Sequence, residues 1–457
     1  MPSVMCSAAL ALLGCASPES LTLDRFGGLA DVQLGPGPQF RLEAWNGRTW
    51  LVTPDGSPFF SAGVNAVRVS SDIVVDTGVS PYEQNVLARW GSPAAWADAV
   101  VERMHAWNLN TLGGWSDVDA FAGRMPYTVV LDLAAADWIA GTVADYFDPQ
   151  WEAYVHERVG TEVAPRANDA WLVGYFLDNE LRWTRDWRDT GRELIDDYLA
   201  LVPGSPGRKA AVEFLRERYA GDVAAFNATW GTTLASFDVL LTDALQRNGG
   251  DEDSALADKR AFLRILAERY FAVTTSAVRA VDPAHLLLGT RVPVPIAAVE
   301  VLDAAAAHLD VVSVNDYQFL DGVAEAAESL FGPLAEPSLA AIAERVGKPL
   351  MVGEFGFRAD DSGLPNSWPP QYPTFETQAE RSAAFEAYVQ YAFDNPAVVG
   401  VHVYKWQDQP AEGRRDGENN NWGLVDIHDD PYARYTEAVR TAFEGVMRRG
   451  LQTDRAQ

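Results

Sequence analysis

Short apolar runs alternate with amphipathic stretches along most of this chain. The runs are Phe59 to Val64, Asn110 to Trp115, Tyr127 to Leu133, Trp171 to Leu177, His285 to Thr290, Val311 to Asn315, Pro349 to Gly353 and Val398 to Tyr404. Each is short, β-branched or aromatic, and bounded by polar or Gly/Pro residues, as buried parallel strands are. Between them, Pro93 to Trp107, Leu256 to Val281, Leu339 to Val346 and Ala379 to Asp394 place apolar residues at helical spacing. Eight βα units predict an α/β fold of the (β/α)8 TIM-barrel type. The competing doubly wound sheet lacks a G-x-G-x-x-G turn after an early strand. Before the barrel, Phe40 to Val52 alternates around Asn46-Gly47, a hairpin signal. Residues 190–248 exceed one barrel helix and predict a helical insertion after the fourth strand, on the face where barrel sites lie.

The two cysteines, Cys6 and Cys15, both fall in the first fifteen residues, so the rest of the chain can form neither a disulfide nor a thiolate site. Met5 to Leu13 is apolar and too short to span a bilayer, and Leu12-Leu13-Gly14-Cys15 resembles a lipoprotein lipobox, although no Lys or Arg precedes it. The expected division is a signal segment over 1–15, a tether over 16–38, a barrel domain over 39–445 and a tail over 446–457. Export as a surface or periplasmic lipoprotein follows from this reading, with membrane contact only through a lipid on Cys15.

Charge narrows the partners. Against 36 Lys and Arg stand 64 Asp and Glu, a net charge of −28, which repels phosphate backbones and anionic lipid. Nucleic acid is therefore excluded as a partner. Trp equals Tyr at 15 each, and flat rings with polar edges suit stacking on sugars as well as core packing.

The candidate chemistry lies in two glutamates. Gly174-Tyr-Phe-Leu-Asp-Asn-Glu180 closes the fourth strand and Met351-Val-Gly-Glu354 the seventh, and strand ends on that barrel face converge on one site. Two facing carboxyls, one protonated for the leaving oxygen and one nucleophilic, are what retaining glycoside hydrolysis needs, at a separation of about 5–5.5 Å. No cofactor or metal is required, and the six histidines show no H-x-x-x-H or H-E-x-x-H spacing.

Longer motifs add a resemblance. Trp50-Leu-Val-Thr-Pro-Asp-Gly-x-Pro-Phe-Phe-Ser-x-Gly-Val-Asn65, Asn110-Thr-Leu-Gly-x-Trp-Ser-Asp117, Gly174-Tyr-Phe-x-Asp-Asn-Glu180 and the Asp408-Gln-Pro-x-x-Gly-Arg-x-Asp-Gly-Glu-Asn stretch together resemble the family-fifty β-agarases, within the clan of retaining TIM-barrel glycosidases, across about Trp45 to Tyr435. The resemblance implies that Glu180 is the acid/base, Glu354 the nucleophile, and a galactan such as agarose or its oligosaccharides the substrate. A β-galactosidase on shorter glycans and a non-catalytic polysaccharide-binding lipoprotein are the alternatives. After His402 the family carries Trp-Phe-Gln-Tyr; this chain has Val403-Tyr-Lys-Trp406.

Other residues at strand ends complete the expected site. Asn179 is suited to a sugar 2-hydroxyl, and Asp178, one layer deeper, reads as a buried structural acid. Tyr317 and Arg291 are placed to hold Glu354 as an anion, beside Asn315. Asn65 either reaches the sugar or simply ends a strand. Trp115, Trp183, Trp368, Trp406 and Trp422 are expected on the active face, with Trp406 as the main sugar platform, and Trp45, Trp107 and Trp171 in the core. His402 lies near the site as a sugar contact or a packed strand residue. Asp408 and Glu418, in the polar loop Gln407 to Leu424, are expected to bond sugar hydroxyls at the barrel mouth.

Overall fold

The structure is a computed structural model and describes residues 21–188, 191–317, 338–370, 372 and 374–452. The expected signal segment, with Cys15 and the lipobox-like stretch before it, lies outside the described residues.

Eight parallel strands form the barrel: β1 Ser61–Val64, β2 Thr111–Leu112, β3 Tyr127–Val130, β4 Leu172–Phe176, β5 Leu286–Gly289, β6 Val312–Asn315, β7 Leu350–Phe355 and β8 Val398–Val403. Each pairs with its neighbour in sequence, and β8 returns to β1 through Val403 opposite Val64. Closure at β5 is indirect. Leu286–Gly289 pairs with β4, and its continuation Val292–Pro293 pairs with β6. Arg291 separates the two pieces in a left-handed conformation, φ 53°. One interrupted strand thus joins both edges into a ring.

Helices cover the outside and start as their sequences dictate. Ser92 caps Pro93–Ala106 by accepting from the Ala95 N–H, and Thr377 with Glu380 forms a reciprocal capping box on Gln378–Asp394. The insertion after β4 contributes Leu194–Ala200, Pro206–Arg218 and Val223–Trp230, packed on the 30-residue helix Glu252–Val281. Among the described residues no helix is long and apolar enough to cross a membrane.

The N-terminal β element is larger than a hairpin. Arg41–Trp45 and Arg48–Val52 pair around Asn46-Gly47, both at positive φ as a type I′ turn requires, and Pro58–Phe59 adds a third antiparallel strand. The run from Phe59 to Val64 is therefore divided between that sheet and the barrel. Residues 21–38 do not behave as a tether. Phe26 is buried against Trp171, 4.5 Å between ring centres, and against Phe40 at 5.7 Å. With Phe59, Val173, Val311, Met351 and Val399 these rings plug the end of the barrel opposite the strand C-termini. The expected tail boundary at 446 also falls inside a helix, Ala433–Leu451, whose Val446 and Met447 are buried.

Candidate active site

The C-terminal strand ends surround a cleft of about 260 Å³ that holds Glu180 and Glu354 together. Glu354 is in β7, where the strand geometry points it inward. Glu180 follows β4 in a left-handed conformation, φ 47°, which only the local bonds sustain: its N–H donates to the Thr290 carbonyl at 3.1 Å and its carbonyl accepts from Arg188 at 3.1 Å. Both carboxyls are buried.

Their surroundings differ in the way the chemistry needs. Arg291 donates to Glu354 Oε1 at 2.7 Å, and the Tyr317 hydroxyl donates to Oε2 at 2.6 Å. Arg291 is itself fully buried, also donating to the Gly353 carbonyl at 2.8 Å, with its guanidinium 4.4 Å from the Trp115 ring centre. Glu180 instead receives one amide donor, Asn315 Nδ2 at 2.9 Å. Burial, and next the negative charge of Glu354, push the Glu180 carboxyl well above the ordinary glutamate range, so that it keeps its proton. Asn315 links the pair: its amide donates to Glu180 and to Asn179 Oδ1 (3.1 Å), while its carbonyl oxygen faces Arg291 Nε at 3.4 Å.

Aromatic rings wall the cleft. Tyr317 stacks on Tyr372 with 4.7 Å between centres, and Trp422 packs against both and against Tyr404. Trp115, Trp138, Trp187 and Trp368 line the opening, Trp368 with 45% of its surface exposed. Arg414 ties the polar rim together, donating to the Tyr404 hydroxyl at 3.0 Å and pairing with Asp416 at 2.7 Å and Glu418 at 3.0 Å.

Of the residues singled out from sequence, the cleft gathers Glu180, Glu354, Asn179, Trp115, Tyr317, Trp368, Trp422 and Glu418. Arg291 and Asn315 lie directly behind it, as positioning residues rather than sugar contacts. Asp178 is buried, accepting from the Tyr270 hydroxyl and the Ala134 N–H; burial raises its carboxyl.

Five expected sugar contacts lie elsewhere. Asn65 is fully buried and donates to the Gly353 and Val403 carbonyls, tying β1 to β7 and β8 beneath the floor. Trp183 turns into the core, stacked 6.2 Å from Phe271 and edge-on to Tyr270. His402 packs inside the barrel, bonded to Ser61 Oγ at 2.9 Å. Gly63 makes room for that ring, since a Cβ there would stand 2.2 Å from it, and desolvation holds His402 neutral with its pKa down to about 3. Trp406 is fully buried, donating to the Tyr82 hydroxyl at 2.9 Å and lying 5.5 Å from Trp107. Asp408 is a loop clamp, accepting from Tyr432 (2.6 Å), Asn421 (3.0 Å) and the Gly423 N–H (2.8 Å); burial raises it to about 6.

Sequence reasoning missed Tyr404, Tyr372, Trp138, Trp187, Arg188 and Arg414. Tyr404 had a usable signal. It is the aromatic that directly follows β8, where alternation turns successive side chains to opposite faces. The others sit in loops with no periodicity to read.

Among the described residues no group of three or more His, Cys, Asp or Glu side chains is arranged to hold a metal ion. No family model matches the chain. It is 30% identical over 460 residues to β-agarase A of Vibrio sp. (strain JT0107), covering 86% of this chain and 44% of that one. To β-agarase B of the same strain it is 28% identical over 498 residues, 91% of this chain and 49% of that one. It therefore spans about half the length of the curated relatives it matches. The crystal structure of an agarase, AgWH50C, superposes with a TM-score of 0.77 at 26% identity, over 95% of this chain and 68% of that one. A solved structure of an exo-β-agarase does so with a TM-score of 0.76 at 25% identity, over 94% of this chain and 68% of that one. In sequence and in fold together, the chain resembles the family-50 β-agarases.

Proposed function

We propose that this protein is a retaining glycoside hydrolase that cleaves β-galactosidic bonds in agarose or agaro-oligosaccharides. The observation that carries the reading is the unequal treatment of two buried carboxyls in one cleft. Glu180 is pushed up by burial and by its neighbour, while Glu354 accepts from a buried arginine and a tyrosine.

In the first step the Glu180 O–H gives its proton to the glycosidic oxygen as the C1–O bond breaks, and a Glu354 oxygen bonds to C1 from the opposite face. Glu180, now a carboxylate, then takes a proton from water, whose oxygen attacks C1 and breaks the ester to Glu354. Arg291 and Tyr317 stabilise Glu354 again as it leaves, and Asn315 keeps Glu180 aligned. Trp115, Trp368 and Tyr404 offer ring faces to the sugars, and Asn179 and Glu418 offer polar contacts. The galactan assignment rests on the relatives' names. Export as a lipoprotein through Cys15 is part of the same proposal, supported by the lipobox-like Leu12-Leu13-Gly14-Cys15.

The test is sugar release from agarose and from chromogenic galactosides by the wild-type protein and by Glu180→Gln and Glu354→Gln. Release from agarose that both substitutions abolish supports the proposal. Release from small galactosides alone points to a β-galactosidase, and retention on agarose beads without turnover points to a binding protein.

A further inference from the structure

Behind the cleft lies a second cavity of about 300 Å³. The two share one wall, made of Trp138, Asn179, Glu180 and Arg188, but Glu354 lines only the first. Glu180 thus stands between the chambers. On the far side the wall is the loop after β3, which begins at Asp132 in a left-handed conformation, φ 53°. Such backbone in a non-glycine residue is unfavourable and gathers where function requires a particular side-chain direction.

Asp132 is held but its carboxylate is not engaged. Its backbone carbonyl accepts from the Tyr154 hydroxyl at 2.9 Å. The carboxylate takes no hydrogen bond or ion pair among the described residues, although it is an exposed part of the cavity lining. Arg158, the cation with the strongest influence on it, directs two donors to the Leu131 carbonyl at 2.9 and 3.2 Å. The cavity's own arginines are likewise engaged with protein: Arg188 donates to the Trp138 and Glu180 carbonyls and to Asp186, and Arg182 to the Gly141 and Arg192 carbonyls and to Asp197. The chamber therefore offers acceptors and no free cation among the described residues. Such a lining disfavours anions and suits a ligand rich in hydroxyl donors, and beside the acid of a glycoside hydrolase that ligand is a sugar ring.

Resting on the hydrolase reading, we propose that this second cavity is the subsite of the departing sugar, with Asp132 accepting its hydroxyl hydrogen bonds. The acid stands beside the glycosidic oxygen and the nucleophile beneath C1. A chamber reached across Glu180 from Glu354 consequently receives the part of the glycan on the leaving side of the bond. An anionic group such as a sulfate on that sugar meets Asp132 and Asp137 and is rejected there.

Asp132→Gly tests this without a folding penalty, because glycine suits the left-handed backbone. Two substrates are compared: an agaro-oligosaccharide, and the 4-nitrophenyl glycoside carrying the same non-reducing portion. The ratio of kcat/KM between them is expected to fall about tenfold, as loss of one hydrogen bond to a charged group implies, with the change in KM and partial recovery in Asp132→Asn. An unchanged ratio, or an equal fall on both substrates, overturns the proposal. If the wild-type protein turns over neither substrate, the hydrolase reading fails separately. Calorimetric affinity of the same oligosaccharide for the wild-type protein and for Asp132→Gly then decides: about tenfold weaker binding supports the subsite, and equal binding overturns it.

Discussion

Replacing Trp406 by alanine separates core from cleft more sharply than any other single change. The indole is fully buried, donates to the Tyr82 hydroxyl at 2.9 Å and packs 5.5 Å from Trp107. Truncating a ring so enclosed costs about 3–5 kcal/mol, the cavity and the lost bond included. Unfolding entropy of about 2.1 cal/mol/K per residue gives roughly 1 kcal/mol/K for a chain of this size, so the melting temperature falls by about 3–5 °C. Trp368→Ala is the counterpart. That ring lines the cleft with nearly half its surface exposed, so stability changes by no more than about 0.5 kcal/mol. If Trp368 stacks on sugar, losing about 1–2 kcal/mol of binding raises KM by about 5–30-fold. The assay is a thermal melt and a Michaelis–Menten curve on each variant, with activity normalised to folded protein. A Trp406→Ala protein that melts like wild type but has a KM raised tenfold or more on agaro-oligosaccharides would show instead that Trp406 holds sugar.

Four further outcomes follow from the site and from the barrel interior beneath it. Tyr317→Phe removes a 2.6 Å bond to Glu354 and should lower kcat by about 10–100-fold with little change in KM, because bonds to charged groups are worth about 1.5–3 kcal/mol. The basic limb of kcat/KM should lie above the ordinary glutamate range, because activity needs Glu180 protonated and its carboxyl is raised. In Glu354→Gln, carbon NMR of labelled glutamate should show the Glu180 pKa lowered, since a neighbouring negative charge is gone. His402 is held neutral to about pH 3, whereas the unfolded chain protonates it near 6.5. The unfolded state thus binds the extra proton, and this residue's contribution to stability is lost as pH falls from about 6.5 towards 3, at up to about 1.4 kcal/mol per unit. Denaturant titrations of His402→Gln between pH 6 and 5 should show a slope shallower by about one proton.

The barrel was legible because its strands are buried on both sides and write themselves as short apolar runs. Seven of those runs differ from the observed strands chiefly at their ends, while Phe59 to Val64 was split, because Pro58–Phe59 pairs across to Arg48–Val52. Residues 21–38 misled because Pro and Gly dominate locally, while the two side chains that anchor the segment, Phe26 and Leu29, carry no periodic signal. Within the site, strand-end position was enough to find Glu180, Glu354, Arg291, Asn315 and Tyr317. Side-chain direction was harder to read. After β8 the sequence offers two aromatics, Tyr404 and Trp406, and only the folded chain shows that Tyr404 meets the cleft while Trp406 is drawn down to Tyr82. Asp408 looked like a mouth residue because its loop is polar, yet three donors enclose it. Polarity marks a loop's composition, not which of its groups face outward.

As proposed, Glu180 and Glu354 act as acid/base and nucleophile in a double displacement on a β-galactosidic bond. Proton NMR of the first product released from agaro-oligosaccharide tests it most directly, followed before mutarotation scrambles the anomers. The β-anomer is expected to appear first with the wild-type protein, and Glu354→Gln to release none. Initial appearance of the α-anomer would mean that water attacks C1 directly, with no covalent bond to Glu354.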